Sequence, residues 1–409
     1  MMKFSFRNNN LYPLMLLLFI FLRISVEKIL TIHPYKKNID FIISFLIFFS
    51  QSLIGGIIYL YYYYRKNKVD ERVLKLGLCF SSSSGSVFMY KTNEIKDNKC
   101  KKIWLMIFAS FFNFVGCVIR SADVVNFGKK EENNSQLEIR IRSIQIIISS
   151  LLCYFTLRLN IYRHQKLSLI VISILLVIII TFEFIITSSW EYKLLSIIFV
   201  ILSCSSRAFL DVTEKYLFEY DYINILAMLI YEGLIGVFFF IIYFIANKEY
   251  KNQGKNIIKD MSYFDWKLVT FILLIILYTI ISGFRNAYRV TTNKFYSPMS
   301  RALFESTLDP FLFIYNFFTF KTYEESRVKW FFFSFILFSL LLIAFFSLIY
   351  NDFLVLNCCG LGYNTYSGIN SRLGDDNIER KDTVLDIAHT RSSNSTTDDI
   401  NNYEMAILN

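Results

Sequence analysis

The sequence predicts an all-α polytopic membrane protein: ten transmembrane helices in an inverted five-plus-five repeat. Three observations carry this expectation. Hydrophobic residues make up 55% of the 409 positions, with a mean hydropathy of +0.43. Charged residues are only 19%, below the ~25% usual for soluble domains. The apolar residues also fall in runs long enough to cross ~30 Å of hydrocarbon, where only helices satisfy their own backbone without a closed barrel. A soluble fold could not bury so much apolar surface. This argues against an ordinary cytosolic enzyme, a disulfide scaffold and a disordered regulator.

The first span covers residues 11–30. Lys3 and Arg7 precede it as in a signal peptide, but no small-x-small cleavage site follows, so it is read as retained. The second span, 41–64, carries no charge. The third is 103–119 and the fourth 137–157, with Arg140 and Arg142 near its start. Spans five to eight are 167–187, 192–218, 222–246 and 268–288. The ninth is 297–320, and the tenth, 330–350, is again charge-free. Trp104, Trp190, Trp266 and Trp330 all fall at span edges, as an interfacial aromatic belt requires. With 4 Pro in the chain, long helices meet few interruptions. Asp309-Pro310 is the exception: proline removes the bond to the Ser306 carbonyl, which makes either a tolerated kink or a hinge.

Residues 1–350 thus form one ten-helix unit, with repeats at 11–187 and 192–350. The loop at 65–102 holds ten Lys/Arg against four acids, which places it, the basic loop at 158–166 and both termini on the cytoplasmic side. The loop at 248–267 on the other side is also basic, so the bias is moderate. Residues 351–409 hold nine acids and four bases among Ser, Thr and Asn, and read as a disordered cytoplasmic tail. Asn133-Asn134-Ser135 is a glycosylation sequon, and Cys358-Cys359 is a candidate palmitoylation site. The net charge of +10 reflects basic loops rather than nucleic-acid binding.

The spans read as five written twice. Glu27-Lys28-Ile29-Leu30 matches Glu214-Lys215-Tyr216-Leu217, and Ser52-Leu53-Ile54-Gly55 matches Gly233-Leu234-Ile235-Gly236. The third span ends Gly116-Cys117-Val118-Ile119-Arg120-Ser121-Ala122, and the eighth Ser282-Gly283-Phe284-Arg285-Asn286-Ala287. Two copies of an odd unit insert with opposite orientation, and a substrate site forms between them.

Ionisable side chains within a span cost ~2.5–3.5 kcal/mol each on insertion scales, so they mark function or pair with one another. The first span has Arg23 and Glu27, the sixth Arg207, Asp211 and Glu214, and the ninth Arg301, Glu305 and Asp309, each set on one helix face. Arg120, Arg285, Arg142, Gln145 and Glu232 add to them. The functional reading is a polar cavity in which Arg binds a carboxylate or phosphate. The structural reading is three intrahelical pairs: Arg23–Glu27, Arg207–Asp211 and Arg301–Glu305.

The polar start of the fourth span (Arg142-Ser143-Ile144-Gln145), its basic turn (Tyr162-Arg163-His164-Gln165) and the region from Asp211 to Gly236 resemble the drug/metabolite transporter superfamily. The similarity is greatest to EamA-like and nucleotide-sugar-transporter-like solute carriers, although no GALNK-like motif is found. The resemblance spans residues 11–350 and implies alternating-access transport of a small polar, anionic metabolite. The expected partners are that small molecule and the lipid bilayer, with a homodimer allowed; no cofactor or metal is expected. The 3 His lie in loops or tail, and no Ser/His, Cys/His or metal constellation suggests an enzyme. A trafficking receptor or scaffold acting through the basic loop and acidic tail is the alternative.

Overall fold

The computed structural model describes residues 2–4, 11–32, 39–65, 99–127, 134–157, 161–186, 190–220, 223–246, 266–319 and 327–356, with residues 361 and 365. Residues 66–98 of the basic loop, Asn133 of the sequon, Cys358-Cys359 and nearly all of the tail lie outside the described residues, whereas residues 99–102 belong to a helix.

The chain is an all-α membrane protein. Its helices are α1 (Leu11–Ile32), α2 (Ile39–Arg65), α3 (Lys99–Phe127), α4 (Asn134–Ile141), α5 (Ile144–Leu152), α6 (Arg163–Ile186), α7 (Trp190–Glu219), α8 (Ile225–Ala246), α9 (Trp266–Phe295), α10 (Pro298–Ser306), α11 (Asp309–Thr319) and α12 (Arg327–Tyr350). Seven of them, α2, α3, α6, α7, α8, α9 and α12, are long and apolar enough to cross a membrane. Their outer faces are greasy: Ile170, Ile174, Val177 and Ile185 make an exposed stripe on α6 that water would not tolerate. Trp104, Trp266 and Trp330 are exposed near the N-terminal ends of α3, α9 and α12.

The other three expected spans differ for visible reasons. α1 has the length but carries Arg23, Glu27 and Lys28. The fourth is interrupted at Arg142-Ser143 and relaxes into a π-turn at Cys153–Leu157; the ninth is interrupted at Thr307-Leu308. Three-residue turns bridge both interruptions: Gln145 N donates to Arg142 O at 2.9 Å, and Leu308 N donates to Glu305 O at 3.2 Å. The helix after the ninth span's entry loop starts with an Ser297 cap whose Oγ accepts from Ser300 N at 3.0 Å, followed by Pro298.

Helices pack antiparallel in pairs. α1 lies on α9, with Tyr12 stacked on Phe295, Phe19 on Phe284 and Arg23 bonded to Tyr278. α3 lies on α7, with Gly116 at Ser206, Phe112 on Phe209 and Lys101 on Tyr216. α2 lies on α8, where a Cβ on Gly233 or Gly236 would collide with Ser52 or Phe48. α6 pairs with α12, and α8 and α9 also flank α3 and α2 respectively. In the interrupted spans α4 packs on α11 and α5 on α10, so these segments also run in opposite directions. The largest apolar core joins α4–α7 to α10–α12.

Two short strands were not foreseen. β1 (Met2–Phe4) pairs antiparallel with β2 (Leu354–Leu356), bringing the segments before α1 and after α12 together at one end of the bundle. Between α12 and β2, Asp352 adopts φ 60° and caps the helix: Phe353 N donates to Leu348 O at 3.1 Å and Asp352 N to Ile349 O at 3.2 Å.

Candidate functional site

The intramembrane charges converge. On α7, Asp211 and Glu214 share a fully buried face; α9 turns Arg289 toward them and, one turn earlier, Arg285 toward Glu305 of α10. α10 adds Arg301 and Glu305, both buried. Arg301 forks: Nη1 donates to Glu305 Oε1 at 2.8 Å and Nη2 to Asp211 Oδ2. Gln145 Nε2 donates to the same Asp211 oxygen at 3.1 Å. Arg285 Nη2 reaches Glu305 at 3.5 Å.

Arg289 is the hub. Its Nη2 donates to both Glu232 oxygens at 3.0 Å, and its Nη1 stands 2.7 Å from Glu214 Oε1 and 3.6 Å from Asp211 Oδ1. Glu232 also accepts from Gln51 of α2 and Asn113 of α3, each at 2.7 Å. Asn293 Nδ2 donates to Glu214 Oε2 and to the Asp211 carbonyl at 2.8 Å. One guanidinium thus ties together three helices, α7, α8 and α9, whose carboxylates would otherwise be uncompensated charge in the interior.

A cavity of about 120 Å³ opens against this network. Its charged lining is Arg23, Arg142, Arg207, Arg285, Arg289 and Arg301 with Glu27, Asp211 and Glu305. Ser44, Asn113 and Cys117 are polar neighbours, and Ile20, Ile24, Ile43, Ile47 and Leu210 form an apolar wall. The lining carries six guanidiniums against three carboxylates, and Glu138, Glu214, Glu232 and Asp309 pair with three of those arginines from behind it.

Of the thirteen residues singled out from the sequence, eight line this cavity: Arg23, Glu27, Arg142, Arg207, Asp211, Arg285, Arg301 and Glu305. Gln145, Glu214, Glu232 and Asp309 stand behind it, each bonded to residues that line it. The side chain of Arg120 lies outside the described residues. Two of the three intrahelical pairs exist, Arg23–Glu27 at 3.7 Å and Arg301–Glu305 at 2.8 Å. The third does not: Arg207 turns to Glu138 of α4 at 3.3 Å, and Asp211 takes Arg301 and Arg289 instead. Sequence reasoning also missed Arg289, Gln51, Asn113, Asn293 and Glu138. Gln51 and Asn113 were detectable as amides within apolar runs.

A separate pair, Arg140–Glu183, is buried between α4 and α6. The Arg140 guanidinium lies 5.5 Å from the ring centres of Phe313 and Phe332. It belongs to the packing of the largest apolar core and does not line the cavity.

No protein-family model matches the chain, and no curated protein matches it.

Proposed function

We propose that the chain is a secondary transporter of a small anionic metabolite, working by alternating access between two inverted five-helix halves. The observation that carries this reading is the cavity lining of six guanidiniums against three carboxylates, which favours an anion held by bidentate Arg contacts. Its size suits a small metabolite rather than a polymer.

The ten-span count adds α1 and the two interrupted segments to the seven long apolar helices. An even count fits the pairing of β1, before the first span, with β2, after the last. Exchanging each span with the one five places on turns the α1–α9 contact into α7–α3, and the α2–α9 contact into α8–α3; all four are present. Interrupted helices at corresponding places in both halves are the usual surroundings of a transport site. The resemblance to the drug/metabolite transporter superfamily agrees with this architecture, and the basic loops favour cytoplasmic termini. The reading assigns the substrate contacts to the cavity-lining arginines, with Asp211 and Glu305 holding Arg301 in place.

The test is reconstitution. Vesicles containing the purified protein are loaded with a metabolite extract, and the contents are profiled with and without the protein. An anionic solute should move, and Arg207→Gln or Arg301→Gln should stop it at equal protein insertion.

A further inference from the structure

Behind the cavity wall the balance of charge reverses. The ion-pair chain runs Arg285, Glu305, Arg301, Asp211, Arg289 and ends on Glu214 and Glu232, so three guanidiniums meet four carboxylates. An excess buried charge is costly. A second, independent observation points the same way. Four buried acceptors, Asp211 Oδ1, Glu214 Oε1, Gln51 Oε1 and Asn293 Oδ1, lack a hydrogen-bond donor, against two buried donors, Arg289 Nη1 and Arg301 Nε, that lack an acceptor. The cluster has one negative charge too many and too few donors, and a single proton corrects both.

We propose that Glu214 and Glu232 share a proton and form the proton-binding site of the carrier, which holds that proton more tightly while an anion occupies the cavity.

The geometry selects this pair. Asp211 is served by Arg301 and Arg289, and Glu305 by Arg301 and Arg285. Glu214 and Glu232 have Arg289 between them and divide it, one carboxyl on each terminal nitrogen. Apart from Asp211, which stands 3.6 Å from the same Arg289 Nη1 as Glu214, their other partners are neutral: Gln51 from α2 and Asn113 from α3 on Glu232, and Asn293 from α9 on Glu214. Arg289 and Asn113 also line the cavity, whereas Glu214 and Glu232 do not. An anion docking on Arg289 therefore competes with the carboxylates for the same guanidinium. With part of the Arg289 charge drawn to the anion, the pair holds its shared proton more tightly, and it gives the proton up more readily once the anion leaves. That coupling role rests on the anion-carrier reading; the shared proton does not.

Infrared spectroscopy of the purified protein in lipid, without added solute, tests it. At neutral pH a protonated-carboxyl C=O band is expected. Glu214→Gln or Glu232→Gln should abolish it, while the neutral amide keeps the fold and its melting temperature. Absence of the band in the unaltered protein, or its persistence in both variants, would overturn the proposal. Neither result depends on whether any solute is transported.

Discussion

Gln51 and Glu232 are joined by a 2.7 Å hydrogen bond, and they stand 181 positions apart, the offset that lays Ser52-Leu53-Ile54-Gly55 on Gly233-Leu234-Ile235-Gly236. Equivalent residues of two repeats touch only near the axis that relates them. The same offset exchanges the contact of Phe48 with Gly236 for that of Leu229 with Gly55, and both contacts occur. The seam between α2 and α8 is therefore where an inverted repeat would place its axis.

That seam depends on small residues, because a Cβ at Gly236 runs into the Phe48 ring. Gly236→Val should cost about 1–3 kcal/mol through overpacking. Combined with Phe48→Ala, it should cost less than the sum of the two single changes, since the valine occupies the space the ring vacates. Thermal unfolding of the three variants in detergent measures this, and simple additivity would count against the contact.

Cys117 lines the cavity, whereas Cys153 and Cys204 are buried. With the other six cysteines replaced by Ser, a negatively charged thiol reagent should gain on a positively charged one at Cys117 by on the order of tenfold, relative to their rates with a free thiol in water. Arg207→Gln should shrink that preference. Equal relative rates would mean that the cavity is not electropositive.

The two interrupted spans are tied across their breaks by Arg142 Nη1 and Asp309 Oδ1 at 3.3 Å, with Asp309 fully buried. Asp309→Ala leaves Arg142 with the 3.9 Å contact to Glu138 and should destabilise the protein by on the order of 3 kcal/mol. Faster hydrogen exchange at Thr307 and Leu308 would place that loss at the break. Unchanged exchange would show that the pair does not hold it.

Between α5 and α6, Tyr162 stacks on His164, whose Nε2 lies 3.1 Å from Asp352 Oδ1. Burial, reinforced by the Asp352 charge, raises the Tyr162 hydroxyl above its ordinary value of 10.0. The native state therefore holds this proton more firmly than the unfolded chain. Its contribution is complete below pH 10 and is lost as pH rises beyond that. Tyr162→Phe keeps the ring and should flatten the alkaline arm of a stability–pH profile; an unchanged arm would contradict this.

The pattern of apolar runs was legible because hydrocarbon thickness sets their length. Asp309-Pro310 signalled the break in the ninth span, which falls just before it at Thr307-Leu308. The matching break at Arg142-Ser143 has no Pro or Gly to announce it. Helical spacing found the charged faces but not their partners: Arg207 meets Glu138 across 69 positions because packing, not local spacing, decides which faces meet. Arg289 was missed because the eighth apolar run fades at residue 288, while the helix continues to Phe295. The polar end of that helix is what inserts the hub of the network.

Solute profiling of reconstituted vesicles tests the central claim most directly. The unaltered protein should accumulate or release at least one anionic metabolite, and Arg207→Gln and Arg301→Gln should abolish that movement at equal insertion. No solute difference with the unaltered protein, or normal movement in both variants, would contradict an anion carrier built around this cavity.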